Sequence, residues 1–357
     1  MKFVHLADLH LDAKFDSLSS IDGLPQKRRL EQRKALKDVV EYIKENDIKL
    51  FLISGDLYEQ NYIRKSSIEY VNKLFEEIPD TQIFIAPGNH DPYIKNSFYS
   101  TYTWSKNVHI FNENIEKIDF EDAHIYGFGF TDFYCKQSEI EEIQVEEPDD
   151  INILITHGSL DGGSDDLREY NPLRQSKLKQ LDFDYIALGH IHKPYYNEEK
   201  NQKIFYPGST ISLGFDELGE HGILVGDIEK DELKVKFMTI DPRQYKEKEI
   251  DITEMTSNEE VLEKLQNLVL NNENLYKIIL VGKRYFTLNI DEIKKLNSRE
   301  NIVKIKDKTK VGIDIERIAE ENNVRGIFVR NMLERKEREN LDEDFIEKAI
   351  EIGLEVL

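Results

Sequence analysis

The sequence predicts an α/β protein followed by a smaller α+β region that ends in helices. Three features lead to this. Short apolar runs of strand character alternate with longer segments whose apolar residues recur at helical spacing. Five of the runs release Asp, Asn or His directly at their C-terminal ends. The alternation breaks at Pro242 and starts again beyond a short charged stretch.

The elements follow in order. KFVHLA (2–7) reads as a first buried strand, and Leu36, Val39, Val40 and Ile43 set a long helix over 26–46. LFLIS (50–54) is a second strand, a helix follows over 66–77, and QIFIA (82–86) is a third strand. NVHIF (107–111) and HIYGFGF (124–130) are short strands, and EIEEIQVEEPDD (139–150) is an acidic connector. INILIT (151–156) and YIALG (185–189) are buried strands, and IFYPGST, HGILVGDI and ELKVKFMTID (232–241) close the β-rich part. The charged segment 243–249 marks a boundary. Beyond it the pattern restarts with a strand and gives helices over 258–270 and 290–297, strands over 275–281 and 302–306, and two final helices starting near Ile315 and Glu343. The expected domains are 1–242, 243–310 and 311–357.

Composition narrows the class. The 357 residues suffice for two or three domains, with 39% hydrophobic and 33% charged residues. The single cysteine, Cys135, excludes an intrachain disulfide. No apolar run reaches the ~18 residues of a membrane span. Asp8 interrupts the N-terminus too early for a signal peptide, so the expected location is cytoplasmic. The net charge of −22 argues against a non-specific nucleic-acid binder. It divides unevenly, −17 over residues 1–245 and −5 over 246–357, and bound divalent cations would offset part of the first figure.

The strand ends carry the chemistry. They are Asp8-Leu9-His10, Gly55-Asp56, Gly88-Asn89-His90-Asp91, His157-Gly158 and His190-Ile191-His192. Ligands of open α/β sheets sit at the carboxyl ends of strands, and residues two apart in extended chain, such as His190 and His192, project to one side. Each motif alone has a plain explanation as a turn, a helix cap or a structural histidine. Together they hold five of the nine histidines. Seven ligands from these ends are too many for one ion and suit two, and Asp56 is the best candidate for the bridging carboxylate that would hold them together. Mixed oxygen and imidazole donors favour Mn, Fe or Zn over Mg or Ca. Two ions about 3.5–4 Å apart clamp the attacking and leaving oxygens of a phosphoester and lower the pKa of bound water.

The order DxH, GD, GNHD, HG and GHxH resembles the calcineurin-like metallophosphoesterase superfamily. Within it, HLADLHLD, LGHIHKP and YPGSTISLGFDELGEHG (206–222) look like the SbcD-type DNA repair exonucleases and their YhaO-like branch. The likeness covers residues 2–241; the C-terminal third matches loosely, through NVRGIFVRNMLERKE and the last amphipathic helix. The resemblance implies a four-layer αββα sandwich and a manganese-dependent DNA nuclease. It implies Asp8, His10 and His192 on one ion, Asn89, His157 and His190 on the other, and Asp56 bridging. It implies His90 beside the phosphate as a catalytic residue outside the ligand set. It also implies a homodimer straddling DNA and a C-terminal helical element docked on an ABC-type ATPase of the SbcC/YhaN kind. The chain has no GxxxxGK[ST] loop, so any ATP dependence comes from that partner. In GDLYEQN, Glu59 stands where SbcD-type enzymes often have histidine, which bears on exonuclease direction; the absence of GDxxDRG argues against a protein phosphatase.

Other features have two readings each. QKRRLEQRK (26–34), with five basic residues, is a solvated helix face or part of a DNA-straddling surface. Arg64 and Lys65 are candidates for phosphate contact. Tyr58, Tyr62, Tyr93 and Trp104 are base-stacking candidates or else core or dimer-interface residues. Asp91 orients His90 or forms a turn. The apolar stripes of the last helices pack internally or seek a groove. The nuclease reading competes with a phosphodiesterase acting on nucleotides or small phosphoesters, which the acidity favours. It also competes with a non-catalytic scaffold, which the complete ligand set disfavours.

Overall fold

Residues two apart on a strand share a face, and the buried strands of this chain use both faces. The computed structural model describes residues 1–161, 170–196, 202–230 and 232–357. In chain order its first part contains β1 (Lys2–Leu6), α1 (Leu24–Glu45), β2 (Leu50–Ile53), α2 (Lys65–Glu76), β3 (Gln82–Ile85), α3 (Phe98–Thr101) and β4 (Val108–Ile110). Then come β5 (Glu116–Phe120), β6 (Ala123–Gly127), β7 (Ile151–His157), α4 (Gln175–Leu178), β8 (Tyr185–Gly189), β9 (Ile204–Phe205), β10 (Gly222–Glu229) and β11 (Glu232–Thr239).

These strands form two sheets, ordered β11-β10-β1-β2-β3-β4 and β5-β6-β7-β8-β9. The run from β1 to β4 is parallel, as is the run from β6 to β9. Phe3, Leu50, Leu52 and Phe84 of the first sheet share a core with Ile153, Ile155, Tyr185 and Ala187 of the second. The alternate residues Val4, Leu6, Phe51, Ile53, Ile83 and Ile85 turn outward onto α1 and α2, against Leu36, Val39, Val71 and Phe75. On the far side, Leu154, Ile186 and Leu188 pack under Leu173, Leu178 and Phe183. The result is the αββα sandwich, with its fourth layer made by short turns and α4 rather than long helices. Parallel order puts the C-terminal ends of β1, β2 and β3 on one edge, and those of β6, β7 and β8 likewise.

The chain divides into two units, residues 1–246 with 272–275, and residues 247–271 with 276–357. The second contains most of β12 (Tyr245–Asp251), then α5 (Asn258–Gln266), β13 (Leu275–Val281), β14 (Lys283–Arg284) and α6 (Ile290–Leu296). It continues with β15 (Ile302–Asp307), β16 (Lys310–Val311), α7 (Ile315–Glu320), α8 (Val324–Glu339) and α9 (Glu343–Val356). A β12-β13-β15 sheet covered by α5 and α6 holds one core, including Ile252, Val261, Ile278 and Ile293. Ile318, Val329, Ile346 and Ile350 of the last three helices hold another. No helix among the described residues is long and apolar enough to cross a membrane.

Three local expectations need correction. β5 is a strand where none is expected: its EKIDF sequence pairs antiparallel with β6 at a sheet edge, where partial exposure erases the apolar alternation. The charged segment 243–249 is largely β12, with Tyr245 and Ile250 buried and the intervening charges outward. The helix expected from Ile315 breaks after Glu320. Asn323 accepts a hydrogen bond from the Gly326 N–H at 2.9 Å and starts α8. A Cβ on Gly326 would fall 2.0 Å from the Glu321 carbonyl, so the turn needs glycine there.

The basic run on α1 is also not a uniformly solvated face. Arg28 is fully buried and holds Asp241 with two hydrogen bonds, at 3.0 and 2.8 Å, while donating to the Ser212 carbonyl at 2.9 Å. Removing one partner of such a pair leaves a buried charge uncompensated. Arg28→Ala is therefore expected to destabilise the protein by about 3 kcal/mol or more, read as a lowered urea midpoint, and Arg28→Met with Asp241→Leu to recover most of the loss. An Arg28→Ala variant as stable as the parent would show that the clamp contributes nothing.

Candidate metal centre

The strand ends leave the sheets through left-handed turns. Asp8 (φ +50°), His10 (+49°), Asp56 (+52°) and His190 (+101°) all adopt this conformation, which non-glycine residues seldom take and which clusters at functional sites. Gly55 (φ +83°) precedes Asp56, and a Cβ there would lie 2.5 Å from His157 Nδ1 and 2.9 Å from the Gly88 nitrogen. The turns are held by backbone hydrogen bonds from Asp8 N–H to Gly55 O (3.1 Å) and His10 N–H to Asp56 O (2.9 Å).

All seven side chains expected as ligands meet here. One donor atom each from Asp8, His10 and His192 lies within 4.8 Å of the others, and the same holds for Asp8, Asp56 and His157. Asn89 Oδ1 is 3.0 Å from His157 Nε2 and 3.2 Å from His190 Nδ1. Asp56 Oδ2 lies 3.8 Å from His10 Nε2 and 3.3 Å from His157 Nε2, between the two groups. His90 stands at the rim with its side chain 44% exposed, and one of its ring nitrogens lies within 4.8 Å of donor atoms of His10 and Asp56.

The outer ring nitrogens explain what the inner ones do. His157 Nδ1–H donates to the Ser54 carbonyl at 2.9 Å, His10 Nδ1–H to Glu59 at 2.8 Å, and His192 Nδ1–H to Glu217 at 2.7 Å. A neutral imidazole with its proton on the outer nitrogen presents a lone pair on the inner one. His10 Nε2 and His192 Nε2 then face each other at 3.2 Å, and His157 Nε2 faces two oxygens. Acceptors facing acceptors in a buried site require positive charge between them. Outer-nitrogen hydrogen bonds of this kind are what orients histidine ligands around a metal.

The titration tendencies express the same demand. Burial pushes the Asp8 carboxyl up, against the pull of His192 and His157. Burial acts likewise on Asp56, yet His157, then His10 and His90, hold it well below the usual carboxylate range. Burial opposes charge on His157 and His192, but Asp56 lifts the first to about 9 and Glu217 lifts the second to about 9. His190 is pushed down to about 3 by burial and by the His157 charge. The donor set of carboxylate, amide oxygen and imidazole fits two divalent cations of the Mn, Fe or Zn type.

Glu59 spans two histidines, accepting from His10 Nδ1 through one oxygen and from His90 Nδ1 at 3.1 Å through the other. Asp91 makes a turn, and the His90 ring is held by Glu59 rather than by the Asp91 carboxylate. The Asp91 carboxylate accepts from the Asp56, Leu57 and Gly88 N–H groups and from Tyr99 O–H, joining the two loops that carry Asp56 and Asn89. Of the proposed stacking residues, Tyr58 is fully buried and Trp104 packs into the core against Phe75, Tyr99 and Tyr102. Tyr93 is half-buried on that core, and Tyr62 alone of the four is exposed, with Lys14 Nζ 4.2 Å above its ring. Arg64 is exposed and Lys65 pairs with Glu69 at 3.5 Å. Ser54 and Glu217 escaped sequence reasoning. Glu217 lies inside the quoted FDELGEHG stretch, but neither residue type nor spacing marks it as a partner of His192.

The model of the calcineurin-like phosphoesterase family matches residues 1–194. The chain is 25% identical over 264 residues to an uncharacterized metallophosphoesterase, YhaO, of Bacillus subtilis, across 71% of this chain and 64% of that protein, so it spans just under two thirds of that relative. It is 25% identical over 330 residues to the SbcD subunit of the nuclease SbcCD of Staphylococcus epidermidis, across 83% of each. The crystal structure of TT1561 of Thermus thermophilus superposes with a TM-score of 0.40 at 10% identity, over 66% of this chain and 98% of that one.

Since Glu217 fixes the His192 ring, Glu217→Ala is expected to lower the affinity of one of two divalent cations, with Mn²⁺ as the titrant, by about tenfold or more and to leave the other unchanged. Calorimetric titration reads this as a split isotherm; two unaltered affinities would exclude the role.

Proposed function

The chain belongs to the calcineurin-like phosphoesterase family, and from that premise we propose that it is a manganese-dependent nuclease that hydrolyses phosphodiester bonds in DNA. The observation that carries the reading is the convergence of seven donor side chains, three of whose imidazoles have their outer nitrogens already committed to Ser54, Glu59 and Glu217. In this proposal Asp8, His10 and His192 hold one ion, Asn89, His157 and His190 hold the second, and Asp56 bridges. When bound, the pair supplies Lewis-acid polarisation of the phosphate and activation of a water near neutral pH.

The chain's own residues do the rest. His90 is reachable from solvent, and Glu59 fixes its Nδ1–H, so its ring is oriented toward a phosphate seated over the centre. From there it stabilises charge on the phosphoryl oxygens or delivers a proton to the leaving oxygen. The Asp56 carboxylate accepts the His90 backbone N–H at 2.8 Å, tying the position of the rim histidine to that of the bridge.

DNA as substrate, a homodimer, a cytoplasmic location and an ABC-type ATPase partner of the SbcC/YhaN kind belong to the same proposal. The relative named as a subunit of a nuclease, matched over 83% of both chains, supports it. The division at 242 and 310 is part of it too, with residues 311–357 as the docking element. Phe345 on α9 and Ile327 on α8 are exposed apolar residues in that element, 61% and 52%. A second reading, a phosphodiesterase for nucleotides or small phosphoesters, draws support from the net charge of −22.

With Mn²⁺ the protein is expected to degrade linear DNA, and EDTA to stop it; DNA left intact while a small chromogenic diester is cleaved would remove the nuclease reading. His90→Ala should slow hydrolysis by about 10²-fold or more with both ions still present by metal analysis; loss of both would place His90 among the ligands. Deleting residues 311–357 is expected to spare hydrolysis and abolish co-purification with the ATPase, and undiminished co-purification would count against docking there.

A further inference from the structure

A cavity of about 650 Å³ opens beside the metal centre, between the segment entering β5 and the loop leaving β6. Its volume falls in the range of small-molecule sites, roughly 300–1,000 Å³. Because β6, β7 and β8 are parallel, it lies at the same edge of the sheet as His157 and His190.

Three connections join its wall to the ligand residues. Phe130, which lines it, stands edge-on to His157 with ring centroids 5.6 Å apart. Ser138, also on the wall, donates to Asn171 Oδ1, and Asn171 Nδ2 donates to the His157 carbonyl at 2.8 Å. Tyr134 at the mouth packs against Tyr170 at 5.9 Å, and Tyr170 packs against His190 at 5.0 Å. A backbone bridge between Cys135 and Tyr170 holds this short aromatic ladder together. The ladder therefore runs from a ligand histidine to the cavity wall over two ring spacings.

The lining combines flat aromatic surface with exposed polar groups. Tyr134 is 44% exposed. Lys136 and Gln137 also line the cavity and are exposed, with the Gln137 carbonyl accepting from Cys135 Sγ at 3.4 Å. Aromatic rings with amide groups beside them hold nucleobases by stacking and by hydrogen bonds to the base edge.

We infer that this cavity receives the nucleobase of the nucleotide whose phosphate lies over the metal centre. The inference rests on the phosphodiesterase reading and adds to it: the enzyme grips a strand end with its terminal base splayed out, and Tyr134 and Gln137 are binding residues. A base-free diester gains nothing from the site.

The test compares kcat/KM with Mn²⁺ for the p-nitrophenyl ester of a nucleoside 5′-monophosphate and for base-free methyl p-nitrophenyl phosphate. The parent protein is expected to prefer the nucleoside ester by about tenfold or more, the size of one base-stacking contact. That ratio should collapse toward one in Tyr134→Ala, survive in Tyr134→Phe, and fall partly in Gln137→Ala. A ratio near one in the parent, or one unchanged in Tyr134→Ala, overturns the inference while leaving the phosphodiesterase reading intact. If neither ester is cleaved, that reading fails, and binding decides the cavity's role. A nucleoside 5′-monophosphate binding the full chain by calorimetry, more tightly than ribose 5-phosphate and less tightly after Tyr134→Ala, supports it; equal binding of the two overturns it.

Discussion

Lone pairs and carboxylates buried face to face are the constraint on which this structure turns. Asp8 and Asp56 are almost without solvent, at 0% and 1% exposure, and they share their space with histidine nitrogens whose protons point the other way. Burying an uncompensated ion costs several kcal/mol. Positive charge must therefore lie among them, as protons on the rings or as divalent ions. Metal binding in such a site is coupled to folding and to protonation, since a histidine charged on both nitrogens must lose its inner proton, and a protonated carboxyl its own, before it can ligate.

The scaffold keeps that strained arrangement from relaxing. A buried polar thread crosses the layer between the sheets: Tyr185 O–H donates to His5 Nδ1, His5 Nε2–H donates to Ser54 Oγ, and Ser54 Oγ–H donates to the Ala187 carbonyl. Burial keeps His5 neutral by pushing it down to about 3. The carbonyl of the same Ser54 receives His157. A second line runs in from α1. Arg28 clamps Asp241, Asp241 accepts the Ser212 N–H, the Ser212 hydroxyl holds the Glu217 carbonyl, and the Glu217 carboxylate holds His192. Side chains far apart in sequence thus set the ring orientations of His157 and His192 at the centre.

The residues that converge were readable from the chain because two simple signals coincide in them. Uninterrupted apolar runs mark buried strands, and Asp, Asn and His at their ends are costly there without a partner. His190 and His192 stand out for the same reason, two imidazoles at the end of a fully buried strand. The misses have physical causes. β5 lies half-exposed at an edge and lacks alternation; α7 and α8 are separated by a cap that apolar periodicity does not register. Arg28 belongs to a basic run, and nothing local distinguishes it from Lys27 or Arg29. Tyr58, next but one to Asp56, has the composition of a stacking residue and the environment of a core one.

By itself the sequence determined the alternating architecture, the family likeness and the residue types available at each strand end, since hydrophobic period and ligand chemistry are local properties. Only the tertiary structure decided which nitrogen of each histidine faces inward, that Glu59 serves His10 and His90 together, that Glu217 backs His192, and that a cavity opens behind Phe130. Those are relations between segments as much as 182 residues apart, as in the contact of His10 with His192. Relations of that kind exist only after the strands have paired, because the distances that define them depend on register and on which sheet edge each loop leaves.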